Sequence, residues 1–217
     1  MPKPRLKRLG ILWIGFLVAL GVGLLPPQPS RAADGSAGSF KLSGPLKRDL
    51  LAMVKEPLLA AVEGRAVRTP RPNSSLKAPL PLVVSLYLNG QLAARTWRLE
   101  GLGPLSETAL ALGAEILVNP KLGRILKPEE WPQATFGVAV LNDLKAARDD
   151  RDIGPTQAAI VFYGLKQSVG LPSDAPPPQK AKDLLGLTCQ LVGLRPGAWM
   201  TGSGSILTAQ AAEALEK

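Results

Sequence analysis

The chain has 217 residues, a formal net charge of +9 and no histidine. The missing histidine excludes Ser-His-Asp and Cys-His nucleophile pairs, histidine proton shuttles and every histidine-containing zinc or iron site. The single cysteine excludes an intramolecular disulfide, so the fold must rest on its core, which a chain of this length can supply.

Residues 1–32 read as a signal peptide. Lys3, Arg5, Lys7 and Arg8 form a basic start, and residues 10–25 form an unbroken apolar run of 16. Pro26 and Pro27 follow, and Ser30 and Ala32 offer small residues for cleavage after Ala32. The alternative is an uncleaved anchor built on residues 9–25, although the run falls short of the roughly 17–25 residues of a spanning helix. Both readings export the body of the protein, to the periplasm or the exterior, and leave the membrane only the N-terminal segment to touch. Removing residues 1–32 removes five of the 26 Lys and Arg and none of the 17 Asp and Glu, so the mature charge is +4. That is ordinary solubility, and it argues against nucleic acid as a partner.

Residues 33–42 read as a flexible leader, and residues 43–217 as one domain. Leu46, Leu50, Val54, Leu58 and Val62 recur every four residues after Ser43, which predicts a helix closed by Gly64. Pro57 is expected to kink it or split it in two. Residues 65–79 are basic and proline-rich and read as a solvated loop. Asn89-Gly90 between two apolar β-branched runs predicts a hairpin over residues 81–99. In its return strand Leu92, Ala94, Thr96 and Arg98 share one face, and Ala93, Arg95, Trp97 and Leu99 the other. Residues 105–118 read as a helix with Leu105, Ala109, Leu112 and Ile116 on one stripe, broken by Asn119-Pro120.

Residues 127–132 form a turn, 135–141 a strand, and the charged run 145–152 a solvated loop. Residues 158–163 and 165–169 read as a second hairpin across Gly164, and 172–178 as a proline-rich loop. A helix is expected over 181–192, closed by Gly193. The alanine-rich tail 206–215 reads as weakly helical, or partly strand near Ile206. Interspersed helices and antiparallel strands make the class α+β, with a mixed or antiparallel sheet packed by helices.

Arg95, Trp97 and Arg98 form the unusual cluster. Arg95 and Trp97 share a face, where guanidinium and indole can stack as a platform for an anionic or aromatic ligand. The bland alternative has Trp97 covering core or edge while the arginines reach solvent or pair with Glu100. Cys189, among leucines, reads as a buried hydrophobe. Asp149, Asp150 and Asp152 lack the spacing of a calcium loop. No pattern assigns a catalytic residue, a metal site or a cofactor.

Several segments, taken in order, resemble the AMMECR domain family, known in bacteria and archaea as AmmeMemoRadiSam system protein A. Residues 81–92 (PLVVSLYLNGQL) are similar to the family's strand-turn-strand ending in Asp/Asn-Gly-x-Leu. Pro104-Leu105 opens a long helix, followed by Asn119-Pro120. Residues 126–132 (LKPEEWP) are similar to Leu-Thr-Pro-Glu-Glu-Leu-Pro, and 136–141 (FGVAVL) to a strand ending in Val-Leu. Cys189, Gly193-Leu194 and Trp199 resemble the family's close. Where the family carries Arg-Gly-Cys-Ile-Gly, this chain has Ala93-Ala94-Arg95-Thr96-Trp97, so the motif cysteine falls on Arg95. The resemblance implies an AMMECR-like fold, and cysteine chemistry is not carried over. Two functions remain open: a non-enzymatic binding module for an unknown protein or small-molecule partner, or a histidine-independent enzyme using carboxylate, Lys or Arg groups in a cleft.

Overall fold

An apolar stripe and two good caps make the first helix, α1 (Gly44–Glu63). Ser43 accepts a hydrogen bond from the Leu46 amide, and Gly64, at φ 62°, closes the helix with its N–H on the Ala60 and Ala61 carbonyls. The split into two helices, one of the two outcomes expected at Pro57, does not occur. Pro57 is buried within a continuous helix of 20 residues, and residues on both sides of it, Leu50 and Leu58 among them, pack into one core cluster. Packing outweighs the one backbone hydrogen bond that proline removes. The computed structural model describes residues 42–69, 74–101, 103–118, 127–175 and 180–216. The expected signal peptide, anchor and most of the leader lie outside them, as do Asn119-Pro120 and parts of the two proline-rich loops.

The chain leaving α1 is tied down rather than freely solvated. Glu56 accepts hydrogen bonds from Arg65 Nη1 (2.5 Å) and Nη2 (3.0 Å) and from the Arg68 amide (2.7 Å). The Arg65 bond, followed by the Arg68 amide, pulls the Glu56 pKa from 4.5 to about 2. A lowered carboxylate pKa stabilises the fold above the ordinary value and loses that effect as pH falls through the lowered one. The Tm of Glu56→Gln is therefore expected to lie below the parent's above pH 4.5 and to converge on it as pH approaches about 2. A gap that stays constant would contradict the assignment.

The first hairpin forms as expected, with β1 (Leu82–Leu88) and β2 (Gln91–Arg98) antiparallel. Asn89 (φ 52°) and Gly90 (φ 76°) both take positive φ, the tight turn that matches strand twist. A register shift at Leu86/Tyr87 sets Leu92 opposite Tyr87, which corrects the expected grouping of Leu92 with Ala94. Helix α2 (Leu105–Leu117) buries Leu105, Ala109, Leu112 and Ile116 as read from its stripe. Its Gly113 lies against the backbone of Val54 in α1.

A 3-10 turn (Pro128–Gln133) leads into β3 (Ala134–Ala147). This strand corrects the expected loop over 145–152: after an irregularity near Asp143 (φ 56°), Lys145, Ala146 and Ala147 pair with Thr208, Leu207 and Ile206. Only Asp150–Asp152 forms a separate turn. The second hairpin, β4 (Gln157–Tyr163) and β5 (Lys166–Gly170), turns at Gly164. Helix α3 (Ala181–Gln190) follows. The tail is not helical: β6 (Gly204–Leu215) lies between β3 and β4 and pairs with both. Two ready-made edges outweigh the helical propensity of its alanines.

The sheet has six strands in the order β2-β1-β3-β6-β4-β5, and every pairing is antiparallel. Helices α1 and α2 cover one face of β1–β3 around Leu50, Leu112 and Phe136. Helix α3 covers β4 around Leu184, Leu185 and Cys189. The opposite face closes on itself around Val83, Leu141, Ile160 and Val169. The sheet thus curls into a near-barrel, and its two edges, β2 and β5, come to face each other without pairing.

Candidate functional site

The seam between those two edges opens into a cleft of about 660 Å³. Strand β2 contributes Leu92, Ala93, Ala94, Arg95 and Trp97. Residues 165–168 of the second hairpin form the opposite wall, and Leu191 and Val192, just beyond α3, stand beside it. No acidic residue lines this cleft among the described residues.

Arg95 crosses the seam. Its Nε donates to Ser85 Oγ (2.8 Å) on β1, and Nη1 donates to the Val169 carbonyl (2.9 Å) on β5. The guanidinium also grips Asp174 with two bonds, Nη1 to Oδ2 (2.6 Å) and Nη2 to Oδ1 (2.8 Å). The two side chains are only 3% and 12% exposed. Burial opposes the charge on Arg95, but the hydrogen bonds and charge of Asp174, with a smaller share from Tyr87, prevail and raise its pKa. Asp174 Oδ2 also accepts from the Leu171 amide (2.7 Å), which fixes the 3-10 turn Pro172–Asp174 directly after β5. Glu213 of β6 accepts from the Ser173 amide (3.2 Å) and hydroxyl. Burial raises the Glu213 pKa, Ser173 opposes this, the Asp174 charge adds to it and the Arg95 charge opposes it. Two carboxylates and a cation thus converge behind the seam, and of these only Arg95 reaches the cleft.

Trp97 shares the inner face with Arg95, packs half-buried against the inner cluster and lines the cleft. Arg98 does not join them. It lies on the outer face, where Nη2 donates to Glu115 Oε2 (2.7 Å) while Thr96 Oγ1 donates to Glu115 Oε1 (2.8 Å). The expected pairing with Glu100 is therefore corrected: the partners are Asp174 for Arg95 and Glu115 for Arg98. Both come from elements whose placement is set by the fold, not by neighbouring sequence.

Ser168 escaped the sequence reading. It is 1% exposed, lines the cleft, and its Oγ has no hydrogen-bond partner among the described residues. A serine in a five-residue strand gives no local signal of this; the position becomes special only once β5 is known to be an edge. Cys189 is buried on the sheet-facing side of α3, and burial raises its thiol pKa. Asp149 and Asp152 accept the Arg151 and Arg148 amides and shape a turn.

No family model and no curated protein matches the chain. Among solved structures, an uncharacterized protein from Pyrococcus horikoshii is similar, with a TM-score of 0.67 and 19% identity over 82% of this chain and 95% of that one. The likeness is one of fold.

Proposed function

We propose that this chain is an exported, AMMECR-like domain that works by binding a partner in the seam rather than by catalysis. The carrying observation is the chemistry of the cleft: two strand edges, an apolar wall and no carboxylate among its described lining residues. The one guanidinium that reaches it is already bonded to Asp174, Val169 and Ser85. General acid–base work needs a titratable group held within reach of substrate; the Asp174–Glu213 pair lies behind the seam, and Lys166, which does line the cleft, is exposed at the end of β5 rather than buried in it.

The AMMECR-like segments support the family reading through their order. The strand-turn-strand piece coincides with β1 and β2, Leu105 opens α2, residues 127–132 lie at a 3-10 turn, and 136–141 lie in β3. At the family's cysteine position stands a buried arginine with a structural partner, in keeping with a relative that kept the scaffold and left the chemistry. The export reading rests on the layout of residues 1–33. Mass spectrometry of the native N-terminus is expected to find a start at Ala33; a start at Met1 would contradict cleavage.

A photo-crosslinking amino acid at Leu165, exposed at the cleft mouth, tests the binding reading. In envelope or secreted extract it is expected to trap a discrete adduct that the same group at Arg48, on α1, does not. Equal labelling from both positions, or none from Leu165, would overturn it.

A further inference from the structure

We propose, resting on the reading of the seam as a binding site, that the cleft takes a small amphipathic anion. Its apolar or aromatic body would sit among Leu92, Trp97, Leu191 and Val192, with its carboxylate toward Lys166 at the mouth.

At about 660 Å³ the cleft lies within the roughly 300–1,000 Å³ of small-molecule sites, which combine mostly apolar walls with a few polar groups. It does not run the length of both edges. Arg95 crosses the seam to the Val169 carbonyl, and on β5 the lining stops at Ser168, one residue short of that bond. An extended chain would have to pass this bridge; a compact ligand stops in front of it. Along β5 burial deepens from exposed Lys166 through half-buried Gln167 to buried Ser168. The lysine charge therefore stands at the mouth, beside exposed Leu165.

The sign of the charge selects the ligand. The described lining holds two cations, Arg95 and Lys166, and no acid. Asp174 neutralises Arg95 from behind the seam, whereas Lys166 makes no ion pair among the described residues. The last carbonyls of α3, which would repel an anion, are already occupied. The Leu191 amide donates to Leu187, the Val192 and Leu194 amides to Cys189, and the Gly193 amide to Gln190. A cationic ligand would meet Lys166 and find no carboxylate in the described lining. A neutral apolar one would leave that charge unmatched.

The test titrates the full-length protein by calorimetry with three probes that share one body and differ in head group: 3-phenylpropionate, 3-phenylpropan-1-ol and 3-phenylpropylamine. The carboxylate is expected to bind about three- to fivefold more tightly than the alcohol, the worth of one exposed ion pair, and the amine most weakly. Raising salt from about 20 to about 500 mM is expected to erase the gap between acid and alcohol. Lys166→Met keeps the apolar stem at an exposed position. It is expected to bring the acid down to the alcohol's affinity while leaving the alcohol and Tm unchanged, and Lys166→Glu to reverse the order of acid and amine. Amides within 165–168 and 191–192 are expected to exchange more slowly with the acid bound.

Equal binding by all three probes, tightest binding by the amine, or indifference to Lys166→Met overturns the anion and leaves the cleft reading standing. Slowed amides away from the cleft overturn the inference. If no probe binds while the crosslinker at Leu165 traps a protein, the small-molecule occupant fails and the cleft reading stands. If no probe binds and Leu165 traps nothing, both fail.

Discussion

Arg95→Ala is expected to cost about 3–5 kcal/mol of stability, the usual result of removing one partner from a buried ion pair. The variant leaves the Asp174 carboxylate, 12% exposed, with the Leu171 amide as its remaining described hydrogen bond. It also strips the Val169 carbonyl and Ser85 hydroxyl of the donor that joins the two edges of the sheet. Arg95→Lys keeps the charge but lacks the planar fork, so it should fall between parent and alanine. Arg95→Met combined with Asp174→Leu removes both charges and is expected to recover most of the loss. Urea melts with unchanged m-values would read these differences. A cost below about 1 kcal/mol for Arg95→Ala would mean that the guanidinium waits for a ligand rather than holding the seam.

Gly113→Ala is expected to destabilise by about 3 kcal/mol, at the upper end of overpacking costs, where an exposed helix site would gain about 1 kcal/mol from the same change. A Cβ there would lie 2.2 Å from the Val54 carbonyl oxygen and 2.9 Å from its carbon. Both atoms are backbone, so no rotamer relieves the contact. Helices α1 and α2 would have to part by about 1 Å to restore ordinary separations, loosening the layer around Leu50 and Leu112. Gly186 in α3 is the control: its Cβ would meet the Pro196 ring at 3.4 Å, ordinary contact, so Gly186→Ala should be neutral or gain up to about 1 kcal/mol. Opposite signs for the two substitutions are the expected outcome of denaturant titration. Equal effects would contradict the close approach of α1 to α2.

Local signals were sufficient wherever the physics was local. The Asn89-Gly90 turn, the α2 stripe and the Ser43 and Gly64 caps all depend on residues within a turn or two of each other, and each is legible in the chain. Pro57 and the alanine-rich tail misled because distant partners decided them: the shared core for the helix, and the waiting edges of β3 and β4 for β6. Strand β3 outran its apolar stretch for the same reason, since β6 pairs with Lys145 to Ala147 whatever their side chains are.

The site divided along the same line. Arg95 and Trp97 stood out by residue type, and their common face follows from strand alternation. That Arg95 is bonded to Asp174, 79 positions away, follows only from the curl of the sheet. Ser168 becomes notable only when β5 is an edge and α3 folds over it. A cluster read as a surface platform is thus one-third surface. Arg98 lies outside with Glu115, while Arg95 and Trp97 face the seam.

The central claim is that β2 and β5 face each other without pairing and that Arg95 bridges them, and residue-resolved amide exchange of the free full-length protein tests it most directly. Interior amides of β1, β3 and β6 are expected to exchange slowly, while alternate amides within 166–169, those facing away from β4, exchange near the rate of unstructured chain. Uniform protection along β5, as in a barrel closed by direct pairing with β2, would contradict it.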